Sequence, residues 1–172
     1  FIELNVVSLA ATQDSYFNDF NLPSSDFFGD IVFDIATPSG FSNGAIHTSH
    51  PYPAGTGTGS ISNFIYQLRI PIRIKSADAT LKFDEIVLVE PGEDGSVFGD
   101  DDFWDYVIVE GSKDGGINWK PLLDGYDSRA QASWLTKFNS STDPNSPPNS
   151  TATGDPTLFR TRAIAMLANG NF

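Results

Sequence analysis

The sequence predicts an all-β fold, an antiparallel β-sandwich. Three observations predict it: short apolar/polar alternations recur along the chain, 15 Gly and 11 Pro punctuate the intervals, and no long segment carries a helical period. A length of 172 residues suits one domain, spanning 1–172, that buries a core without disulfides or a structural metal. Its 14 Phe, 5 Tyr and 3 Trp supply large packing units.

The first strand signal is "GDIVFDIATP", which puts Ile31, Phe33 and Ile35 on one side and stops at Pro38 and Gly40. After the turn-rich "PAGTGTGSISN" comes the clearest alternation, "YQLRIPIRIKS": Tyr66, Leu68, Ile70, Ile72 and Ile74 against a cationic face of Arg69, Arg73 and Lys75. Pro71 lacks an N–H, so this strand belongs at a sheet edge or carries a bulge. "TLKFDEIVLVE" alternates to Asp84 and then runs apolar from Ile86 to Val89, as a strand does on entering a more buried position. "FWDYVIVEGS" has apolar residues at both phases, which predicts a central strand covered on both faces. The 18 residues from Asn139 to Pro156 are dominated by Asn, Ser, Thr, Asp, Gly and Pro, and predict a long surface loop at 139–156. "FRTRAIAMLANG" fits either a strand over Phe159–Ile164 or a short helix ending at Gly170.

The charge narrows the partners. Twenty-two acidic residues against ten basic ones leave a net charge of -12, which repels phosphate backbones and anionic lipid, so neither nucleic acid nor membrane insertion is expected. No Cys is present, which removes disulfides and thiolate zinc sites. No apolar run approaches the roughly 20 residues that span a bilayer. The chain opens at Phe1 rather than Met, and is expected to be a processed or excised piece of a larger gene product.

Acid is concentrated: Phe83 to Glu110 holds ten carboxylates and no Lys or Arg. Within "EPGEDGSVFGDDDFWD", Glu90, Glu93, Asp94, Asp100 and Asp102 surround glycine turns, with Asp101 and Asp105 beside them. Hard cations such as calcium take six to eight oxygen ligands, so this stretch is a candidate calcium loop, against the plain reading of a solvated acidic loop. His47 and His50 are the only histidines; with Pro51 following, they read as a packed loop rather than a zinc pair. Sugar binding needs exposed aromatic faces with polar groups beside them, for which Trp134, Tyr126 and Tyr52, with Arg129, are the candidates. Core packing is the alternative for the aromatic residues.

"GSKDGGINW" fits the S-x-D-x-G-x-x-W pattern through Ser112, Asp114, Gly116 and Trp119. This pattern is the Asp-box that recurs on sialidase propeller blades. A single copy in so short a chain reads as a hairpin, with glycines for positive φ, Asp114 accepting from turn amides and Trp119 packing beneath. Glycosidases flank their substrate with two carboxylates, and among 22 acidic residues no pair stands out. A glycoside hydrolase is therefore the third-ranked function.

From "LKFDEIVLVE" through "WDYVIVEGSKDGGINW" to "DGYDSRAQASW" the chain resembles a jelly-roll module of secreted and cell-surface proteins of Bacteroidetes, similar at a distance to MAM domains and to the β-sandwich of immune-inhibitor-A-type peptidases. The matching positions are Asp84 and Glu85, Asp105 to Ser112, Asp114 to Trp119, and Trp134, within about Gly44 to Trp134. The resemblance implies a carbohydrate-binding-module-like sandwich, often calcium-stabilised, acting outside the cell in glycan recognition or adhesion. It further implies that the last strands are missing at "MLANGNF", leaving an edge that a neighbouring segment or subunit completes by strand addition. The leading expectation is a non-catalytic extracellular recognition module; a scaffold component of a cell-surface protein assembly is the alternative.

Overall fold

A computed structural model describes residues 8–48, 62–142 and 150–169. Among them, eight short strands and one helix make a mainly β protein: β1 Phe27–Gly29, β2 Asp34–Ala36, β3 Ala45–His47, β4 Tyr66–Leu68, β5 Thr80–Glu85, β6 Glu110–Gly111, α1 Ala132–Asn139, with β7 Lys120–Pro121 before it and β8 Arg160–Ala165 after it. The strands pair as four antiparallel two-stranded ladders, β1 with β4, β2 with β3, β5 with β8 and β6 with β7. Among the described residues no closed sandwich is formed. Nor, among the described residues, is any helix long and apolar enough to cross a membrane. The chain divides into two compact units, Phe1–Lys75 and Ser76–Phe172.

In the first unit aromatic rings take the place of an aliphatic core. Phe27 of β1 stacks on Tyr66 of β4 at 5.7 Å, Phe33 stacks on the same tyrosine at 5.5 Å, and Phe20 and Tyr16 pack on Phe27. Such offset and edge contacts stabilise beyond the area they bury. The strand expected from Ile31 is shortened to β2, because Asp30 holds the chain in a turn. Its carbonyl accepts from Phe33 and its carboxylate accepts from the Ile65 amide at 2.6 Å, which leaves Ile31 fully exposed. The long alternation after Tyr66 also yields only β4. Beyond it, residues 10–13 run beside 69–73 with a parallel bridge at Gln13 and Ile72, and the Pro71 carbonyl accepts from Gln13, a role that needs no N–H. Ile70 is buried there, whereas Ile74 is exposed.

The second unit is organised by β5 and β8. In β5, Thr80, Lys82 and Asp84 are exposed while Leu81, Phe83 and Glu85 face inward, the period of two that the sequence predicts. β8 resolves the open choice at "FRTRAIAMLANG" in favour of a strand, with Leu81 opposite Ile164 and Phe83 opposite Arg162. One core cluster joins Val87, Tyr126, Trp134 and Leu158; a second joins Leu122, Ile164 and Met166. The apolar run after β5 thus does lead inward, through Val87. Helix α1 holds Trp134 and Phe138, one turn apart and both buried, and the Trp134 indole N–H donates to the Leu158 carbonyl at 2.8 Å. The loop expected at 139–156 is tied at its ends by a bridge between Thr142 and Ser150 and by a 3₁₀ turn over Pro156–Leu158; residues 143–149 lie outside the described residues.

Candidate functional site

The site is built on the acidic segment between Glu90 and Asp105. Glycines at positive φ, Gly95 and Gly99, let it double back, and backbone bonds close it: Glu93 N–H to Asp102 O, Asp100 N–H to Val97 O, Phe103 N–H to Asp100 O. The Asp100 carboxylate accepts from the Val97 amide at 2.9 Å. What fixes this loop to the core is Arg129. Its Nη1 donates to the Glu93 carbonyl at 2.5 Å and to Ser96 Oγ at 3.1 Å, and its guanidinium lies 5.0 Å from the Phe103 ring centre.

Asp127, only 2% exposed, compensates the arginine. Its Oδ2 accepts from Arg129 Nε at 2.9 Å, from Nη2 at 2.8 Å and from the Gly92 amide at 3.0 Å, and its Oδ1 caps the short 3₁₀ turn Ser128–Ala130 by accepting from the Arg129 amide at 2.7 Å. A buried carboxylate is tolerated when it is paired and its lone pairs are occupied, and both hold here. Position 92 must be glycine: a Cβ there would stand 2.6 Å from Ser96 Oγ, 2.7 Å from Arg129 Nη2 and 2.8 Å from the Asp102 carbonyl.

The loop also carries rings. Phe98 packs edge-on against Tyr106 at 5.0 Å and against Phe103 at 6.0 Å, and Gly125 admits Phe98, since a Cβ at that position would lie 2.5 Å from the ring. The segment after the loop bridges to Tyr126 through Val107 and enters β6. Val107 and Val109 pack on the core clusters, but Trp104 is 47% and Tyr106 45% exposed. The prediction of a strand covered on both faces is therefore corrected: Val107 and Val109 meet the core, Trp104 and Tyr106 are exposed, and Ile108 is half-buried. These two residues are surface aromatics that sequence reasoning missed, as are Phe17 and Phe159. The available signal was phase, because Trp104 and Tyr106 are in step with the charged positions Asp102 and Glu110.

The aromatic residues that the sequence puts forward as ligand contacts lie elsewhere. Trp134 is fully buried and Tyr126 is 8% exposed, so neither presents a ring to a ligand; this corrects the expectation, and the reason is that both fill the core cluster. Tyr126 also donates its hydroxyl to Glu85 Oε2 at 2.5 Å, while Arg162 donates to Glu85 Oε1 at 2.5 Å and covers the tyrosine ring at 3.9 Å. Burial first, then the Glu85 hydrogen bond and charge, push the Tyr126 phenol above its ordinary range, with Arg162 opposing. That triad holds a neutral phenol in place. Tyr52 and His50 lie outside the described residues. Arg129 is brought to the acidic loop, as a clamp.

Of the proposed calcium ligands, Glu93, Asp94, Asp100 and Asp102 are exposed and Glu90 is half-buried. Burial pushes the Glu90 carboxyl up, and the charges of Asp105 and Glu93 push the same way. Among the described residues no group of three or more His, Asp or Glu side chains stands together as a metal cage. Glu93 and Asp102 enter the loop's bonding through their carbonyls, that of Asp102 accepting from the Glu93 amide and that of Glu93 from the Arg129 guanidinium. Ser112, Asp114, Gly116 and Trp119 do build a hairpin between β6 and β7. The Asp114 carboxylate accepts from the Asn118 amide at 2.9 Å, the Asn118 side-chain amide at 2.6 Å, the Ser112 hydroxyl at 2.8 Å and the Ile117 amide at 3.1 Å, and these bonds hold it down at about 2; Ser112 Oγ also accepts from the Gly116 amide at 2.8 Å. Trp119 differs from expectation: it is 40% exposed, its indole N–H donating to the Gly116 carbonyl at 3.0 Å.

Comparison with protein-family models, curated proteins and solved structures finds no match. The functional reading therefore rests on the motifs and on the geometry of the acidic loop and its rings.

Proposed function

We propose that this chain is a non-catalytic recognition module of an extracellular or cell-surface protein, that it binds glycans, and that its ladders belong to an antiparallel β-sandwich of the jelly-roll kind. The observation that carries the reading is the pair Trp104 and Tyr106: two half-exposed rings, two residues apart, with Tyr106 braced by Phe98 and Phe103. Two exposed rings so near in sequence offer a ligand apolar faces of the kind sugars stack on. A braced ring loses little freedom on binding, which is how rigid aromatic platforms gain affinity. Asp101, Asp102 and Glu110, near in sequence and exposed, are polar groups that could fix orientation.

Glycan-array binding by the wild-type chain and by Trp104→Ala tests this. Binding that falls at least about tenfold in the variant, with an unchanged circular dichroism spectrum, is the expected result; a tenfold loss corresponds to about 1.4 kcal/mol, within the range of a stacking contact. Wild-type chain that binds no glycan would overturn the proposal. A second reading, a scaffold within a surface protein assembly, draws support from the first unit, where fully exposed Ile31 adjoins Asp30, the partner of Ile65, itself 63% exposed. Apolar side chains so displayed suit protein contacts. Purification in a stable complex, without glycan binding, would favour it.

A further inference from the structure

The β5–β8 ladder is two-stranded and so has two outer edges. Its bonding phase is fixed by one contact beyond its end: the Met166 amide donates to the Ala79 carbonyl at 2.9 Å. Hydrogen-bonded pairs alternate along an antiparallel ladder. Leu81 with Ile164, Phe83 with Arg162 and Glu85 with Arg160 therefore spend their backbone groups on each other. Thr80, Lys82 and Asp84 turn theirs outward on the β5 edge, and Thr161, Ala163 and Ala165 do so on the β8 edge. Among the described residues no other strand pairs with either edge. The two edges differ in what guards them. β5 displays exposed Lys82 and Asp84, charged residues of the kind that keep an edge from pairing, whereas the outward residues of β8 are small, uncharged and exposed.

We propose that the outer edge of β8 pairs with β8 of a second copy of this chain, antiparallel about a two-fold axis at Ala163. The strand is its own complement in that register. Thr161 of one copy stands opposite Ala165 of the other and Ala163 opposite Ala163, so every outward N–H and C=O of both strands is used, in about six backbone hydrogen bonds. On the other face Arg162 stands opposite Ile164 and Arg160 opposite Met166, so no like charges are set against each other. Other registers are worse: an axis at Arg162 opposes two arginines, and an axis at Ile164 leaves Thr161 without a partner. The product is a four-stranded sheet, β5–β8–β8–β5, in which Leu81, Phe83 and Ile164 of both copies share one apolar face. Two strands alone are marginal, and four are not. Lys82 and Asp84 guard both ends of the new sheet, so the isologous contact closes at two copies instead of growing into a fibre. Such a dimer stands whether or not the chain binds glycans.

The chain contains no Cys, so a single introduced thiol reports on one position of one edge. Opposed residues of a hydrogen-bonded antiparallel pair stand about 5.5 Å apart at Cα, within disulfide reach. Ala163→Cys is therefore expected to form a covalent dimer with oxidised glutathione, which takes up the protons and electrons that the two thiols lose. Ala165→Cys, opposite Thr161 rather than itself, and Lys82→Cys, on the β5 edge, are expected to stay at one chain mass on a non-reducing gel. Light scattering of the wild-type chain is expected to give about twice 18.7 kDa. A wild-type chain of single mass at every concentration would overturn the proposal, whatever other segment the edge accepts. A wild-type dimer that Ala163→Cys fails to crosslink, or that Lys82→Cys crosslinks as well, would overturn it by placing the contact elsewhere, and self-crosslinking through Ala165→Cys would overturn the register.

Discussion

Asp127 is the residue on which the candidate site depends. Its carboxylate satisfies Arg129 and the Gly92 amide at once, so its loss would leave a guanidinium, 21% exposed, without its counter-charge. Removing one partner of a buried pair costs about 3–5 kcal/mol, more than the pair contributes relative to apolar residues of the same size. Asp127→Ala is therefore expected to destabilise the chain by about that amount in urea unfolding, whereas Asp127→Ala with Arg129→Met should recover much of it. A single substitution costing under about 1 kcal/mol would show that solvent already screens the pair. Nothing in the sequence distinguishes Asp127 from the other acidic residues, because its burial depends on Gly92, 35 positions away.

At the scale of elements, the hairpin between β6 and β7 stands or falls with the ionisation of Asp114. The folded carboxyl titrates at about 2, below its ordinary value of 3.8. A depressed folded value means that the stabilisation is present above the unfolded value and is lost as pH falls through the folded one. Slow amide exchange at Ile117 and Asn118 is thus expected to persist at pH 4 and to weaken as pH approaches 2; protection already lost at pH 4 would contradict it. This hairpin was legible because its hydrogen bonds are local in sequence, as was β5, whose alternation reports directly on an inward face. Helix α1 was not: eight residues give barely two turns, and its stability comes from Trp134 and Phe138 meeting a distant core. The exposure of Trp104 and Tyr106 was hidden for a related reason, since apolar residues at both phases do not reveal that only Val107 and Val109 pack on the core clusters.

For the molecule as a whole, a net charge of -12 sets a self-repulsion that compaction must overcome. The screening length shrinks from about 30 Å at 0.01 M salt to about 8 Å at 0.15 M. Melting temperature is expected to rise over that interval; a fall would mean that ion pairs such as Arg162 with Glu85 outweigh the repulsion. The composition made this balance legible, whereas the division into two compact units was not, because one sheet signal resembles another until partners are known. The pairing of β5 with β8 has a consequence in time. Glu85 and Arg162 are 77 positions apart, and a ribosome adds roughly 5–20 residues each second. For roughly 4–15 s the nascent β5 waits without its partner, with Leu81 and Phe83 uncovered, so chaperones that shield apolar strands have their opportunity within that window.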